Sequence, residues 1–127
     1  MNIETWNKLI KPLEVDTEAV DGDIVSCIDH LYCLCQCNRG GVEGCNNIVV
    51  LAYEYDIKHI KAIFKFIIKL YQKYKIRYIR VEGKKDRYRI MKHIFENNML
   101  LQICNGRDIY YCKLNKPLID KMKKLIK

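Results

Sequence analysis

The segment IKHIKAIFKFIIKLYQKY, from Ile57 to about Tyr74, constrains this chain more than any other. Its apolar residues cover most of a helical circumference, and Lys61, Lys65, Lys69 and Lys73 recur every four residues as its one polar stripe. A helix so patterned has to be buried on nearly every side, with a narrow wet edge. Asp56 stands before it as an N-cap, and the flanking sequence supplies extended runs to cover it. On one side the spacing turns to alternation from Ile24. There DHLYCLCQC, the turn signal NRGG and CNNIVVLAYEY read as a β-hairpin within 29–54. On the other side IRYIRVEG is β-branched and aromatic and ends at Gly83, which reads as a strand. A strand, a helix and a strand in that order imply a right-handed crossover and a locally parallel pair.

The remaining segments fall around this unit. Ile3, Trp6, Leu9 and Ile10 are spaced three and four apart and predict a short amphipathic helix within 1–12, ended by Pro12. The acidic stretch from Leu13 to Asp23 reads as a loop. KKDRYRIMKHIFENN places Tyr88, Met91, Ile94 and Phe95 at helical spacing, with Asp86 as a cap and Asn97–Asn98 as a stop. MLLQIC, the turn NGR and DIYYCKL predict a second hairpin, because Asn-Gly is the strongest short hairpin signal. Asn115 and Pro117 open a basic amphipathic helix over 115–127, with Leu118, Ile119, Met122, Leu125 and Ile126 on one side and five lysines elsewhere. Its apolar stripe can pack on its own domain, dock on a partner or lie on an anionic membrane.

The expected architecture is one domain spanning 1–127 of the α/β (α+β) class. A mixed, mostly antiparallel sheet carries helices on both faces. A chain of 127 residues fits a single core, and its 50% apolar content is too high for disorder. No apolar run approaches the roughly 18 residues of a membrane span, and MNIETWNKLIK lacks the basic-then-apolar order of a secretory signal. The expectation is a soluble cytoplasmic protein whose seven cysteines are thiols rather than a disulfide framework.

Charge is unevenly distributed. Residues 1–29 hold seven acids against Lys8 and Lys11, whereas residues 57–127 hold twenty Lys and Arg against five acids, so the net +8 belongs to the second half. Such a surface attracts nucleic acid, phosphorylated ligands or an acidic partner. Between Lys73 and Arg89 eight bases interleave with Tyr74, Tyr78 and Tyr88. Phosphate contact with aromatic stacking suits single strands. The alternative is a solvated basic face with Tyr78 and Tyr88 turned partly to the core. No recognised nucleic-acid motif is present, so nonspecific, salt-sensitive adhesion is expected, with Lys84, Lys85, Arg87 and Arg89 as contacts for a partner or nucleic acid.

Cys33, Cys35, Cys37 and Cys45 form C-x-C-x-C-x7-C around the first hairpin. Alternate residues on one strand face stand about 6.5–7 Å apart, whereas tetrahedral zinc holds its sulfurs about 3.7–3.8 Å apart. A two-residue Gly40-Gly41 turn pairs Gln36 with Cys45 and turns Cys45 away from the trio, while a three-residue loop sets it across from Cys35. The expectation is small buried hydrophobes and no zinc. A thiol nucleophile paired with His30 or His59 has no motif behind it, and His30, His59 and His93 read as solvated or capped.

The element order from the hairpin within 29–54 to Leu114, and most closely IRYIRVEGKKDRYRIMKHIFENN, resembles the GNAT N-acetyltransferase fold of small phage-encoded members. The resemblance implies two antiparallel strands, a central helix, a further strand, another helix and a closing antiparallel pair. It also implies a Q/R-x-x-G-x-G/A loop at the start of the central helix, whose bare N–H groups hold the pyrophosphate of acetyl-CoA. Here that stretch is DIKHIK, with Asp56 at the first position, His59 at the first glycine and Lys61 at the last. The family's general-acid tyrosine falls near Met91, which cannot donate a proton, and Tyr88 lies one turn away.

These departures from the family pattern imply a scaffold that kept the fold and lost the acetyl-transfer site. It would be a non-catalytic bacteriophage protein, a binding or virion-associated structural component of the host cytoplasm or virion. Its partners would be other phage proteins, and no cofactor is expected. A composition rich in Ile, Lys, Asn and Tyr, from AT-rich codons, agrees with that source. The alternatives are an acyl-CoA-dependent N-acetyltransferase and a basic nucleic-acid-binding module. The first would hold acetyl-CoA at Ile57, Lys58, His59, Ile60 and Lys61, with Glu54 or a tyrosine as base or acid.

Overall fold

The buried helix forms as its pattern requires. In the computed structural model, which describes residues 1–13, 17–51, 57–84, 99–104 and 107–127, helix α2 runs over Ile57–Tyr74. Helix α1 (Ile3–Ile10) precedes it and helix α3 (Lys116–Leu125) follows it. Ile60, Ala62, Ile63, Phe64, Phe66, Ile67, Ile68 and Leu70 are all buried, and the lysine stripe keeps the wet edge. Burying a large apolar side chain contributes about 1.5–3 kcal/mol, so this helix organises the core. It packs on a six-stranded sheet made of β1 (Ile24–Ile28), β2 (Leu31–Gln36), β3 (Asn46–Leu51), β4 (Tyr78–Lys84), β5 (Met99–Cys104) and β6 (Arg107–Lys113). The spatial order is β1-β2-β3-β4-β6-β5. Among the described residues the one parallel pair is β3–β4, the pair α2 connects, and the others are antiparallel. The chain is thus a mixed, mostly antiparallel α/β structure of the class expected.

Helices cover both faces. Leu118, Ile119 and Met122 of α3 join the core cluster that α2 builds over Cys33, Cys35, Ile48, Ile79 and Val81. Asn115 caps α3 by accepting from the Leu118 amide at 3.0 Å. The three apolar residues pack inside their own domain, as the first reading of the C-terminal helix has it, while Leu125 of the same stripe is 41% exposed. On the opposite face, Trp6 and Ile10 of α1 meet Leu34 and Ala19. Asn2 caps α1 through the Thr5 amide at 2.8 Å. The following loop is tied back to α1, where Trp6 Nε1 donates to Thr17 O at 2.8 Å and the Asn7 side chain clasps both backbone groups of Ala19 at 2.9 Å.

Two expectations need correction. The run from Ile24 is not one extended stretch but two strands, because Asp29 and His30 both adopt positive φ (49° and 68°) and fold a tight primed turn. Asp-His is not a composition that signals such a turn. The second hairpin of the meander uses neither the two-residue Gly40-Gly41 turn nor the three-residue loop that would set Cys45 across from Cys35. Gln36 pairs with Asn47 and Cys35 with Ile48, which leaves residues 37–45 as the loop. Inside it Gly40 donates to Cys45 O at 2.9 Å, and a Cβ on Gly40 would sit 2.7 Å from Cys45 Sγ. Backbone hydrogen bonding in this loop therefore overrides the short-turn signal. The helix read from KKDRYRIMKHIFENN and the Asn105-Gly106 turn lie outside the described residues, although β5 and β6 pair as that turn demands, from Cys104–Arg107 onward.

Candidate functional site

Among the described residues the β3–β4 ladder stops short of both strand ends. β3 and β4 pair only at Asn46–Ile79, Asn47–Arg80 and Ile48–Val81, although β3 runs on to Leu51 and β4 to Lys84. Alternation along β2–β3 directs the backbone groups of Val49 and Leu51 to β2 and those of Asn46, Ile48 and Val50 to β4. Past Ile48 the ladder ends, so the N–H and C=O of Val50 point toward β4 without a ladder partner there. Beyond Leu51, α2 begins at Ile57, beside the carboxyl ends of the strands, and a helix start directs first-turn N–H groups and partial positive charge outward. Open α/β sheets bind ligands beyond the carboxyl ends of their strands.

Of the five residues expected to hold acyl-CoA, the structure separates backbone from side chain. Ile60 is 2% exposed and belongs to the core, so only its main chain can serve a ligand. His59 is half-buried and already has a partner, while Lys61 is exposed. Asp56 and Glu54 lie outside the described residues. So do Lys85, Arg87, Arg89, Tyr88 and Met91, and Lys84 is described only as the last residue of β4.

A polar row not foreseen from the sequence crosses the α1-side face of the sheet. Gln36 Nε2 donates to Glu18 O at 3.0 Å, and Asn47 Nδ2 donates to Gln36 Oε1 at 2.8 Å. Arg80 then donates to Asn47 Oδ1 at 3.0 Å and Glu82 Oε2 at 2.8 Å. Burial works against the Arg80 charge, but Glu82 and Tyr111 outweigh it and raise its pKa. The pairings Gln36–Asn47, Asn47–Arg80 and Arg80–Tyr111 put these side chains on one face. Only strand register, which the sequence left open, could have revealed the row. No protein-family model and no curated protein matches this sequence.

The six described cysteines are free thiols. Burial pushes Cys33 and Cys112 up to about 12 and raises Cys35, Cys37 and Cys45 as well. A thiol held protonated is a poor nucleophile and a poor metal ligand. Among the described residues no three His, Cys, Asp or Glu side chains are grouped to hold a metal ion. His30 is exposed in its turn. Ser26 Oγ accepts a hydrogen bond from Lys69 Nζ at 2.9 Å.

The basic stretch after α2 is partly committed. Lys75 Nζ donates to Gln72 O and Arg77 Nη1 to Tyr71 O, both at 3.2 Å, so these cations close the helix end. Tyr78 does not turn inward as its periodicity allowed. It is 46% exposed, with Lys113 Nζ 5.9 Å from its ring. Among the described residues no helix is long and apolar enough to cross a membrane.

Proposed function

We propose that this chain is a GNAT-like binding protein that does not catalyse acetyl transfer and engages a protein partner through its basic second half. The strand order, the parallel pair β3–β4 with its crossover helix and the end of its ladder at Ile48 support the GNAT-like reading. The observation that carries the loss of activity is the first turn of α2, where His59, half-buried and partnered, and the exposed Lys61 occupy positions that the resemblance gives to glycine. Side chains there fill space that a pyrophosphate would need for close approach to the amides. The bacteriophage and virion roles rest on composition and on likeness to small phage-encoded members.

The acyl-CoA-dependent N-acetyltransferase is the second reading, and the early end of the β3–β4 ladder favours it. Val50 offers an extended, amide-bearing ligand one donor and one acceptor beside the α2 terminus. Calorimetry with acetyl-CoA separates the two. The expected result is no binding at micromolar concentration and no rise in melting temperature with ligand. Micromolar binding with release of free CoA in the presence of an amine acceptor would replace the first reading with the second.

A further inference from the structure

Among the described residues strand β1 lies at one edge of the sheet with no strand beyond it. Its two-residue turn makes Ile28–Leu31 a hydrogen-bonded pair, and alternation gives Ser26–Cys33 and Ile24–Cys35 the same role. Val25 and Cys27 therefore aim their N–H and C=O groups away from β2. Among the described residues none of these four groups is engaged.

The α2 lysine stripe follows this edge. Lys65 Nζ lies 2.6 Å from Asp29 Oδ2 at the end of β1, and Lys69 Nζ lies 2.9 Å from Ser26 Oγ at its middle. Lys73 is one turn further, next to Tyr74. At the start of β1 a shallow groove of about 710 Å³ opens, lined by Ile3, Ile24, Val25, Tyr74 and Ile76 and also by Glu4 and Asp23, the latter paired with Arg39, so its walls favour an apolar side chain and not an acid.

We propose that β1 captures an extended acidic segment of a partner protein by strand addition, with acids at alternate positions and apolar residues between. Alternating outward donors and acceptors match a strand, whereas a phosphate backbone offers acceptors only. Partner residues opposite Ser26 and Ile24 fall on the α2 face, within reach of Lys69 and Lys73. Those opposite Val25 and Cys27 fall on the α1 face, where an apolar side chain enters the groove. A second copy of β1 is the wrong occupant, because side-by-side pairing would set one lysine stripe against another. The inference is independent of the β3–β4 ladder.

The test uses the full chain and a fluorescein-labelled peptide of alternating Val and Glu, with a Val-Lys peptide as control. Fluorescence polarisation should show binding of the acidic peptide alone, and hydrogen exchange at the Val25 and Cys27 amides should slow on binding. Cys27→Pro removes one edge donor and leaves the β1–β2 ladder intact, which should weaken binding by about tenfold. Lys69→Glu should weaken it by about fivefold; if the proline variant does not fold, this variant and the exchange data decide. Absence of binding, equal binding of the lysine peptide or unchanged affinity in both variants would overturn the proposal. So would dimerisation through the same amides, or displacement by a single-stranded oligonucleotide.

Discussion

Cys33, Cys35 and Cys112 show how far a few buried side chains set the behaviour of this protein. The sequence permitted a metal site or small hydrophobes, and strand geometry already favoured the latter. What it could not show was Cys45, whose position depends on a nine-residue loop closed by Gly40. The buried thiols have a measurable consequence. Cys33 and Cys112 rise from 9.0 to about 12 through burial, and Cys35 moves the same way. In the unfolded chain these thiols ionise near their ordinary value, so above it the unfolded state has shed protons that the folded state keeps. Their stabilising contribution is therefore complete below pH about 9 and is lost as pH rises toward about 12, at about 1.4 kcal/mol per pH unit for each thiol. Urea midpoints measured from neutral pH upward should stay level and then fall once pH passes the free-thiol value. A level profile well into the alkaline range would show that the thiols are accessible to water.

At the scale of elements, α2 was the most legible part, because a helix apolar around most of its circumference with one lysine stripe has a single solution. The hairpin of β5 and β6 was legible for the same kind of reason, a strong turn signal between two extended runs. The β1–β2 turn was not, since Asp29 and His30 adopt positive φ without glycine, held by the strands on either side. The end of α2 is a related case. Lys75 has φ 59°, and the Ile76 amide reaches back to Leu70 O at 3.1 Å, the pattern of a helix closed by a left-handed residue. A lysine carries a Cβ penalty there that glycine does not. Its bond to Gln72 O is exposed and contributes little. Lys75→Gly should therefore stabilise the fold by about 0.5–1 kcal/mol, read from the denaturant midpoint at unchanged slope. A loss of stability would mean that the lysine's hydrogen bond outweighs its backbone strain.

Across the whole molecule, the sequence carried the order of elements but not the place where the β3–β4 ladder ends. Val49, Val50 and Leu51 look like ordinary strand residues, and nothing in them says that pairing to β4 stops one residue earlier. The end of a ladder is a property of two strands and the helix that joins them, so it becomes visible only when all three are placed. It also makes neighbouring amides in one strand behave differently. The Ile48 amide faces β4 inside the ladder, whereas the Val50 amide faces the same way beyond its end. In native-state hydrogen exchange, Val50 should exchange on the order of a hundredfold faster than Ile48, although both lie in β3 within the same sheet. Equal protection would mean that β3 and β4 stay paired to their ends. Repeating the measurement with acetyl-CoA gives the end of the ladder its chemical meaning. Slowing at Val50 alone would put an extended amide ligand between the strands and restore the acetyltransferase reading. An unchanged rate would leave the Val50 amide unprotected and unused, the outcome expected if His59 and Lys61 keep a pyrophosphate from the amides of the helix start.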